Sequence, residues 1–149
     1  MRDMDIAALR DCVGAEVAVS DWLAMPQSRI DTFADATEDH QWIHTDAARC
    51  KTESPFGAPV AHGFLTLSLI PALFENAMRL VGARMVLNYG LNKVRFPAPV
   101  PVDSKVRARL TLLAVDAFDG GHQLTWNVAI ECDTGAKPVC VAEMLMRRY

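Results

Sequence analysis

The chain has 149 residues, of which 51% are hydrophobic and 22% charged, so its composition is that of one globular domain spanning residues 1–149. The net charge of −3 argues against a nucleic-acid partner, and no apolar run reaches the roughly 18 residues that a membrane span needs. The four cysteines match no metal-binding pattern and no apolar leader follows the N-terminus, so we expect reduced thiols and a cytoplasmic protein.

The first predicted element is a short helix from about Arg29 to Glu38, where apolar residues recur at helical spacing. Ser28 and Asp31 resemble a capping box, with Asp in the place of the usual Glu. This predicted helix leads directly into a segment that is rich in chemically active side chains.

That segment, residues 36–46, contains three carboxylates, two imidazoles and one indole. Asp39 and His44 are five residues apart, so on one continuous helix their side chains would point about 140° apart. They can converge only if the helix ends between them. A carboxylate and an imidazole that share one water can activate it and move its protons. The alternative is that Asp39 only orients His44 or caps a helix, with His40 as a solvated neighbour.

Residues 51–59 have the composition of a loop, and residues 60–64, Val-Ala-His-Gly-Phe, then open the strongest helix candidate. A glycine just inside a helix start leaves a free backbone N–H with the positive helix end behind it. Such an N–H is suited to binding an oxyanion. The alternative for Gly63 is tight packing alone, and for His62 it is a helix cap or a core position.

The predicted central helix runs from His62 to Leu80 and is apolar on nearly all sides, which is typical of a buried helix. A helix of this extent would be about 28 Å long. We expect Pro71 to remove one backbone hydrogen bond and bend the helix. Gly82 is expected to stop it.

Beyond Gly82 the hydrophobic pattern changes to the alternation of strands, which we predict over residues 85–96, 105–112, 123–132 and 139–147. The run Asp119-Gly120-Gly121 predicts a turn. A helix that is apolar on all sides has to be covered, and a curved antiparallel sheet folded around it is the simplest cover. The predicted fold class is therefore α+β.

Charge is unevenly distributed along the chain, with −6 over residues 1–53 and +3 over residues 54–149. Between Arg79 and Arg109 there are seven bases and one acid. Arg and Lys pair strongly with phosphate, so this stretch favours a site for a phosphorylated small molecule. The alternative is a solvated strand face.

The two motifs, in this order and spacing, resemble those of the MaoC-like dehydratases, which include the (R)-specific enoyl-CoA hydratases of the hot-dog fold. The first motif is residues 39–44, Asp-His-Gln-Trp-Ile-His, and the second is the His62-Gly63 pair that opens the central helix. Many members have Asn-Pro where this chain has Gln41-Trp42, a difference that concerns the acyl pocket more than the reaction. The match runs from about Arg29 to the end of the chain.

The resemblance implies a hot-dog fold, in which a curved antiparallel sheet wraps a long central helix and the catalytic segment overhangs an acyl tunnel. It implies that Asp39 and His44 hold the reacting water and that the Gly63 N–H binds the oxyanion. Ser68 would line the pocket or steady one of the catalytic pair. The residues expected to bind substrate are Gln41, Ser68, Lys93 and Arg95, the last two as candidates for the phosphates of coenzyme A.

The activity that the resemblance implies is the reversible addition of water to trans-2-enoyl-CoA, giving (R)-3-hydroxyacyl-CoA, within fatty acid metabolism. We expect no cofactor and no metal, because coenzyme A is part of the acyl-CoA substrate, and we expect a homodimer. The alternatives are a dehydratase acting on acyl-carrier-protein substrates, a hot-dog thioesterase, and a non-catalytic acyl-CoA-binding module. A thioesterase would need an acid on or near the central helix, where only Glu75 is found.

Overall fold

The computed structural model describes residues 2–149, which form eight strands and six helices. In chain order the elements are β1 (Arg2–Met4), α1 (Ile6–Arg10), β2 (Glu16–Val19), β3 (Leu23–Ala24), α2 (Gln27–Thr37), α3 (Trp42–Thr45), α4 (Ala47–Glu53), α5 (Gly63–Ser68), α6 (Ile70–Ala77), β4 (Met78–Leu80), β5 (Val86–Arg95), β6 (Lys105–Phe118), β7 (Gly121–Cys132) and β8 (Cys140–Arg148). The predicted α+β class is confirmed.

Six of the strands form one antiparallel sheet in the order β2-β6-β7-β8-β5, with β3 pairing with β6 beside β2. The four predicted strands correspond to β5–β8, and the predicted turn joins β6 to β7. From Leu124 onward in β7, and along all of β8, every second residue is buried, because successive side chains face opposite sides of a strand. Register shifts after Leu112 in β6 and at two points in β5 bend these strands.

The inner face of this curved sheet packs on α5 and α6, and the core lies between them. The Phe74 ring in α6 meets the Trp126 ring in β7 edge to face, with centroids 5.1 Å apart. Around this pair lie fully buried residues of the helix and of both central strands, among them Ile70, Leu73 and Leu110. The predicted hot-dog architecture, a sheet wrapped around a helix, is confirmed.

The central helix is shorter than predicted. α5 and α6 are separated at Leu69, and Pro71 lies in the first turn of α6, where its missing N–H costs no helical hydrogen bond. Residues 78–80, predicted to be helical, form β4 and pair in parallel with β1. The prediction of one long helix from His62 to Leu80 was therefore wrong at its C-terminal turn, because local periodicity does not reveal a pairing partner far earlier in the chain.

Two boundaries near the predicted site also differ. α2 begins at Gln27, and its N-cap is Pro26 with no side-chain cap, so the capping box predicted from Ser28 was wrong. Residues 51–53 complete α4 instead of belonging to the predicted loop, which is confined to residues 54–59.

The first 25 residues, for which the sequence pattern predicted no element, contain β1, α1, β2 and β3. Asp5 caps α1 by accepting a hydrogen bond from the Ala8 N–H at 2.8 Å. β2 and β3 extend the sheet at the edge of β6. Within residues 2–149, no helix is long and apolar enough to cross a membrane.

Candidate active site

A break in helical structure between α2 and α3 brings the predicted pair together. α2 ends at Thr37, and Glu38 adopts the left-handed conformation, with φ of 63°, which turns the chain out of the helix. α3 begins at Trp42 and contains His44. One carboxylate oxygen of Asp39 and one ring nitrogen of His44 lie within 4.8 Å of each other. The helix therefore ends just before Asp39, which is the condition under which Asp39 and His44 were expected to come together.

His44 is buried and held in one ring orientation. Its side chain is 7% exposed, and its Nδ1 lies 2.6 Å from the main-chain oxygen of Val60. Because a carbonyl oxygen only accepts, Nδ1 carries the proton and Nε2 keeps a free lone pair. Burial lowers the pKa of His44, and the neighbouring His62 lowers it further, while the Val60 carbonyl and Asp39 act in the opposite direction. The imidazole is therefore neutral near pH 7 and can accept a proton.

Asp39 lies in the short segment between the two helices, and its carboxylate is exposed to solvent. The Gln41 N–H donates to its Oδ1 at 3.4 Å, which is a long hydrogen bond. The Gln41 carbonyl accepts a hydrogen bond from the His44 N–H at 3.0 Å. The Gln41 side chain is itself exposed, and its amide makes no hydrogen bond to any described residue, so it is available to a ligand.

His62 completes the cluster, although the sequence suggested only a cap or a core position for it. One of its ring nitrogens lies within 4.8 Å of a carboxylate oxygen of Asp39 and of a ring nitrogen of His44. Its Nε2 donates to the main-chain oxygen of Asp39 at 2.9 Å, and its ring stacks on His44 with centroids 3.8 Å apart. No local pattern in the sequence signals this role, because the two residues that it contacts lie about twenty positions earlier in the chain.

Two imidazoles and a carboxylate are a common ligand set for a transition metal, so the cluster has to be tested against that use. The rings of His44 and His62 are inclined by only 24° to each other. Because the rings are stacked with centroids 3.8 Å apart, their in-plane lone pairs lie in two separate planes and cannot both point at one ion at the usual metal–nitrogen distance of about 2.0–2.1 Å. The donor geometry suits proton transfer better than metal binding.

Gly63 is the first residue of α5 and follows His62 of the cluster. The Phe96 ring leaves no room for a side chain at this position. A Cβ added at Gly63 would lie 3.0–3.1 Å from atoms of the Phe96 ring, closer than ordinary contact. The Gly63 N–H donates to no described residue, as is usual for the first N–H groups of a helix. An unused N–H thus lies one residue from His62.

A groove lies between the central helix and β5. It comprises two cavities of about 360 and 590 Å³, and both are lined by Pro71 and Asn88. The smaller cavity is the one lined by Leu67 and Ser68 at the end of α5. The Ser68 hydroxyl donates to the Leu65 carbonyl at 2.7 Å and makes no hydrogen bond to Asp39 or His44. Ser68 is therefore a groove residue in this structure.

Three of the seven bases in the predicted basic stretch pair with carboxylates. Arg79 pairs with Asp3, and Arg107 and Arg109 both pair with Glu131. The other four bases form no ion pair within residues 2–149, and two of them, Lys93 and Arg95, lie on the exposed strand β5. The Arg95 guanidinium donates only to the adjacent Val94 carbonyl, and the next residue is Phe96, beside Gly63. Lys93 and Arg95 are thus available for an anionic ligand at the outer side of β5.

The chain is similar to known proteins over most of its length. A family model described as MaoC like domain matches residues 9–131, which include both motifs. The 3-hydroxyacyl-thioester dehydratase Z of Mycobacterium tuberculosis is 48% identical over 143 residues, covering 95% of this chain and 94% of that protein. Nodulation protein N of Rhizobium leguminosarum bv. viciae is 40% identical over 148 residues, covering 97% of this chain and 91% of that protein.

Among solved structures, the (R)-hydratase from A. caviae involved in PHA biosynthesis is similar over 90% of this chain and 94% of that one. The TM-score is 0.72 and the sequence identity is 22%. At this identity the likeness establishes a shared fold, and the arguments about chemistry come from the residues themselves.

Proposed function

The chain belongs to the MaoC-like dehydratase family, and we propose that it catalyses the reversible hydration of trans-2-enoyl-CoA to (R)-3-hydroxyacyl-CoA. The observation that carries the proposal is the convergence of Asp39 with a buried, neutral His44 whose Nε2 is free. The relative named as a 3-hydroxyacyl-thioester dehydratase supports the same chemistry.

In the proposed mechanism Asp39 and His44 hold one water between them. The water oxygen adds to C3 of the enoyl thioester as His44 Nε2 or the Asp39 carboxylate takes up one of the water protons, and this proton is then delivered to C2. The thioester oxygen becomes enolate-like during this step. The unused Gly63 N–H would bind that oxygen, and one such donor typically contributes about 10²–10³ in rate. The reaction needs no cofactor or metal, because coenzyme A belongs to the substrate.

The groove along the central helix is the proposed site for the acyl chain. Its lining is mostly apolar, with Leu67, Pro71 and Leu91 among the residues that face it, and Ser68 at one side. The exposed amide of Gln41, two residues from Asp39, would orient the thioester end of the substrate. Lys93 and Arg95 would then meet the phosphates of coenzyme A outside the groove.

The thioesterase alternative is weakened by the position of Glu75. This acid is twelve residues after Gly63 in the central helix, which corresponds to about 18 Å along the axis. It lines the larger cavity, away from Asp39 and His44. A carboxylate at that distance cannot direct water onto a thioester carbonyl held at Gly63.

The active form is proposed to be a homodimer that joins the sheets of two copies at β5. This strand ends the sheet and exposes its unpaired edge, which proteins usually cover. Its exposed apolar side chains include Val86, Leu87, Tyr89 and Leu91. Sedimentation equilibrium would give twice the monomer mass of 16.4 kDa. A cytoplasmic role in fatty acid metabolism belongs to the same proposal, and the four free cysteines favour a reducing compartment.

The experiment follows the loss of enoyl-thioester absorbance with crotonyl-CoA, with a longer enoyl-CoA and with the matching acyl-carrier-protein thioesters. The proposal expects hydration of the CoA thioesters and its loss in His44→Ala. Hydration of carrier-protein thioesters alone would assign the substrate to the carrier protein instead. Tight binding of enoyl-CoA without any turnover by a folded protein would identify a binding module and refute the proposed activity.

A further inference from the structure

His62 is the one buried polar residue of the cluster that the proposed mechanism does not use. Its side chain is 2% exposed, and its Nδ1 has no hydrogen-bond partner among the described residues. Desolvating a polar atom without a partner is unfavourable, so a residue that only filled the core would be better replaced by an apolar one. Filling the core therefore does not explain why a histidine occupies this position.

The single hydrogen bond that His62 forms through its ring is directed at the segment that carries Asp39. Its Nε2 lies 2.9 Å from the Asp39 main-chain oxygen. Asp39 follows the left-handed Glu38 and precedes α3, so no helical hydrogen bond fixes it. Its carbonyl accepts no other hydrogen bond within residues 2–149, and its carboxylate accepts only the long one from Gln41.

His44, by contrast, is held by two hydrogen bonds that do not involve His62. Its ring donates to Val60, and its main-chain oxygen accepts a hydrogen bond from the Gln27 side chain at 2.7 Å. His62 stacks on this fixed ring on one side, and Phe33 from α2 packs at a centroid distance of 4.9 Å. Through its hydrogen bond and its stacking, His62 connects the segment that carries the Asp39 carboxylate to the imidazole of His44.

We infer that His62 is a positioning residue, whose Nε2–H fixes the main chain at Asp39 while its ring supports His44, so that the separation of the two groups is constant. The effect on turnover rests on the proposed function. A misplacement of about 1 Å in a catalytic group can cost about 10² in rate, so a single hydrogen bond at this point is sufficient to matter.

The test compares two substitutions at one position. His62→Gln keeps a side-chain N–H at a reach similar to that of Nε2, whereas His62→Leu removes the donor and keeps an apolar side chain. We expect His62→Leu to lower kcat for crotonyl-CoA by about 10²-fold with little change in KM, and His62→Gln to restore most of it. Phe33→Leu is the control, since it alters the packing around His62 without removing the hydrogen bond, and its kcat should stay close to that of the unchanged protein.

A second readout is independent of turnover. Long-range ¹H–¹⁵N spectra of the unchanged protein should identify His62 as the Nε2–H tautomer. The backbone order parameter of Asp39, measured by NMR relaxation, should be about 0.85. In His62→Leu that order parameter should fall below about 0.6, and in His62→Gln it should not. An Nδ1–H tautomer, an unchanged order parameter in His62→Leu, or equal loss in the Gln and Leu variants would overturn the inference.

These outcomes separate the inference from the function on which it rests. If the unchanged protein hydrates no enoyl thioester, the proposed function fails, while the tautomer and the order parameters still decide whether His62 fixes Asp39. If the protein is active and a folded His62→Leu keeps full kcat, the positioning role fails and the proposed function stands.

Discussion

Replacing Asp39 by Asn should abolish most of the activity and leave the fold intact. The substitution is nearly isosteric, and Asp39 is exposed, so no buried contact is lost. An Asn Oδ1 can still accept the hydrogen bond from the Gln41 N–H, and the bond from His62 is to the main chain. We therefore expect the free energy of unfolding to change by no more than about 0.5 kcal/mol.

The loss of activity follows from two effects that act together. A group in general acid–base catalysis typically contributes about 10²–10⁴ in rate, and the lower limit corresponds to about 2.7 kcal/mol in the activation barrier. The negative charge of Asp39 also raises the pKa of His44, so its removal makes the imidazole a weaker base. Both effects lower kcat, and we expect a decrease of at least about 10²-fold.

The assay is the steady-state hydration of crotonyl-CoA, with thermal unfolding measured on the same samples. Asp35→Asn is the matched control, because Asp35 is an exposed acid of α2 that pairs with His40 at 3.7 Å outside the cluster. It should retain the rate of the unchanged protein. A folded Asp39→Asn variant with near-normal turnover would refute the role of Asp39, and an equal loss in Asp35→Asn would attribute the effect to surface charge.

Three further predictions concern the other groups of the site. Gly63→Ala should lower kcat because its Cβ meets the Phe96 ring at 3.0 Å, and adding Phe96→Leu should restore part of the loss in the same assay, whereas no restoration would contradict the steric reason. When kcat/KM is measured against pH, the fall on the acid side should have its midpoint below the ordinary histidine pKa of 6.5, because burial lowers the pKa of His44. A midpoint above that pH would exclude His44 as the base. Arg95→Ala should raise KM for CoA substrates more than it lowers kcat. Arg84→Ala is the control, because Arg84 also has no ion pair among the described residues, and it should change neither constant. Equal KM values in both variants would refute phosphate contact by Arg95.

The strands and the proposed catalytic pair were accessible to sequence reasoning because their signals are local. Alternation over β6 and β7 follows from the two-residue period of a strand. The five-residue spacing of Asp39 and His44 demanded a helix break, and the left-handed Glu38 provides it. A resemblance to a known family then connected this pair with Gly63.

The parts that sequence reasoning missed depend on contacts between distant residues. The end of the central helix is set by the pairing of residues 78–80 with β1. The importance of His62 comes from a hydrogen bond to a main-chain oxygen twenty-three residues earlier, a partner that has no side-chain signature. The basic stretch was predicted as one anion site, but Glu131 neutralises two of its arginines across the β6–β7 ladder.

The central claim is that Asp39 and His44 add water to C3 of an enoyl-CoA from one face. The most direct measurement is to incubate the protein with crotonyl-CoA in ¹⁸O-water and to analyse the product by chiral chromatography and mass spectrometry. The account predicts (R)-3-hydroxybutyryl-CoA with the label on the C3 oxygen and with the thioester intact. Release of free coenzyme A with label in the carboxylate, or formation of the (S) product, would contradict it.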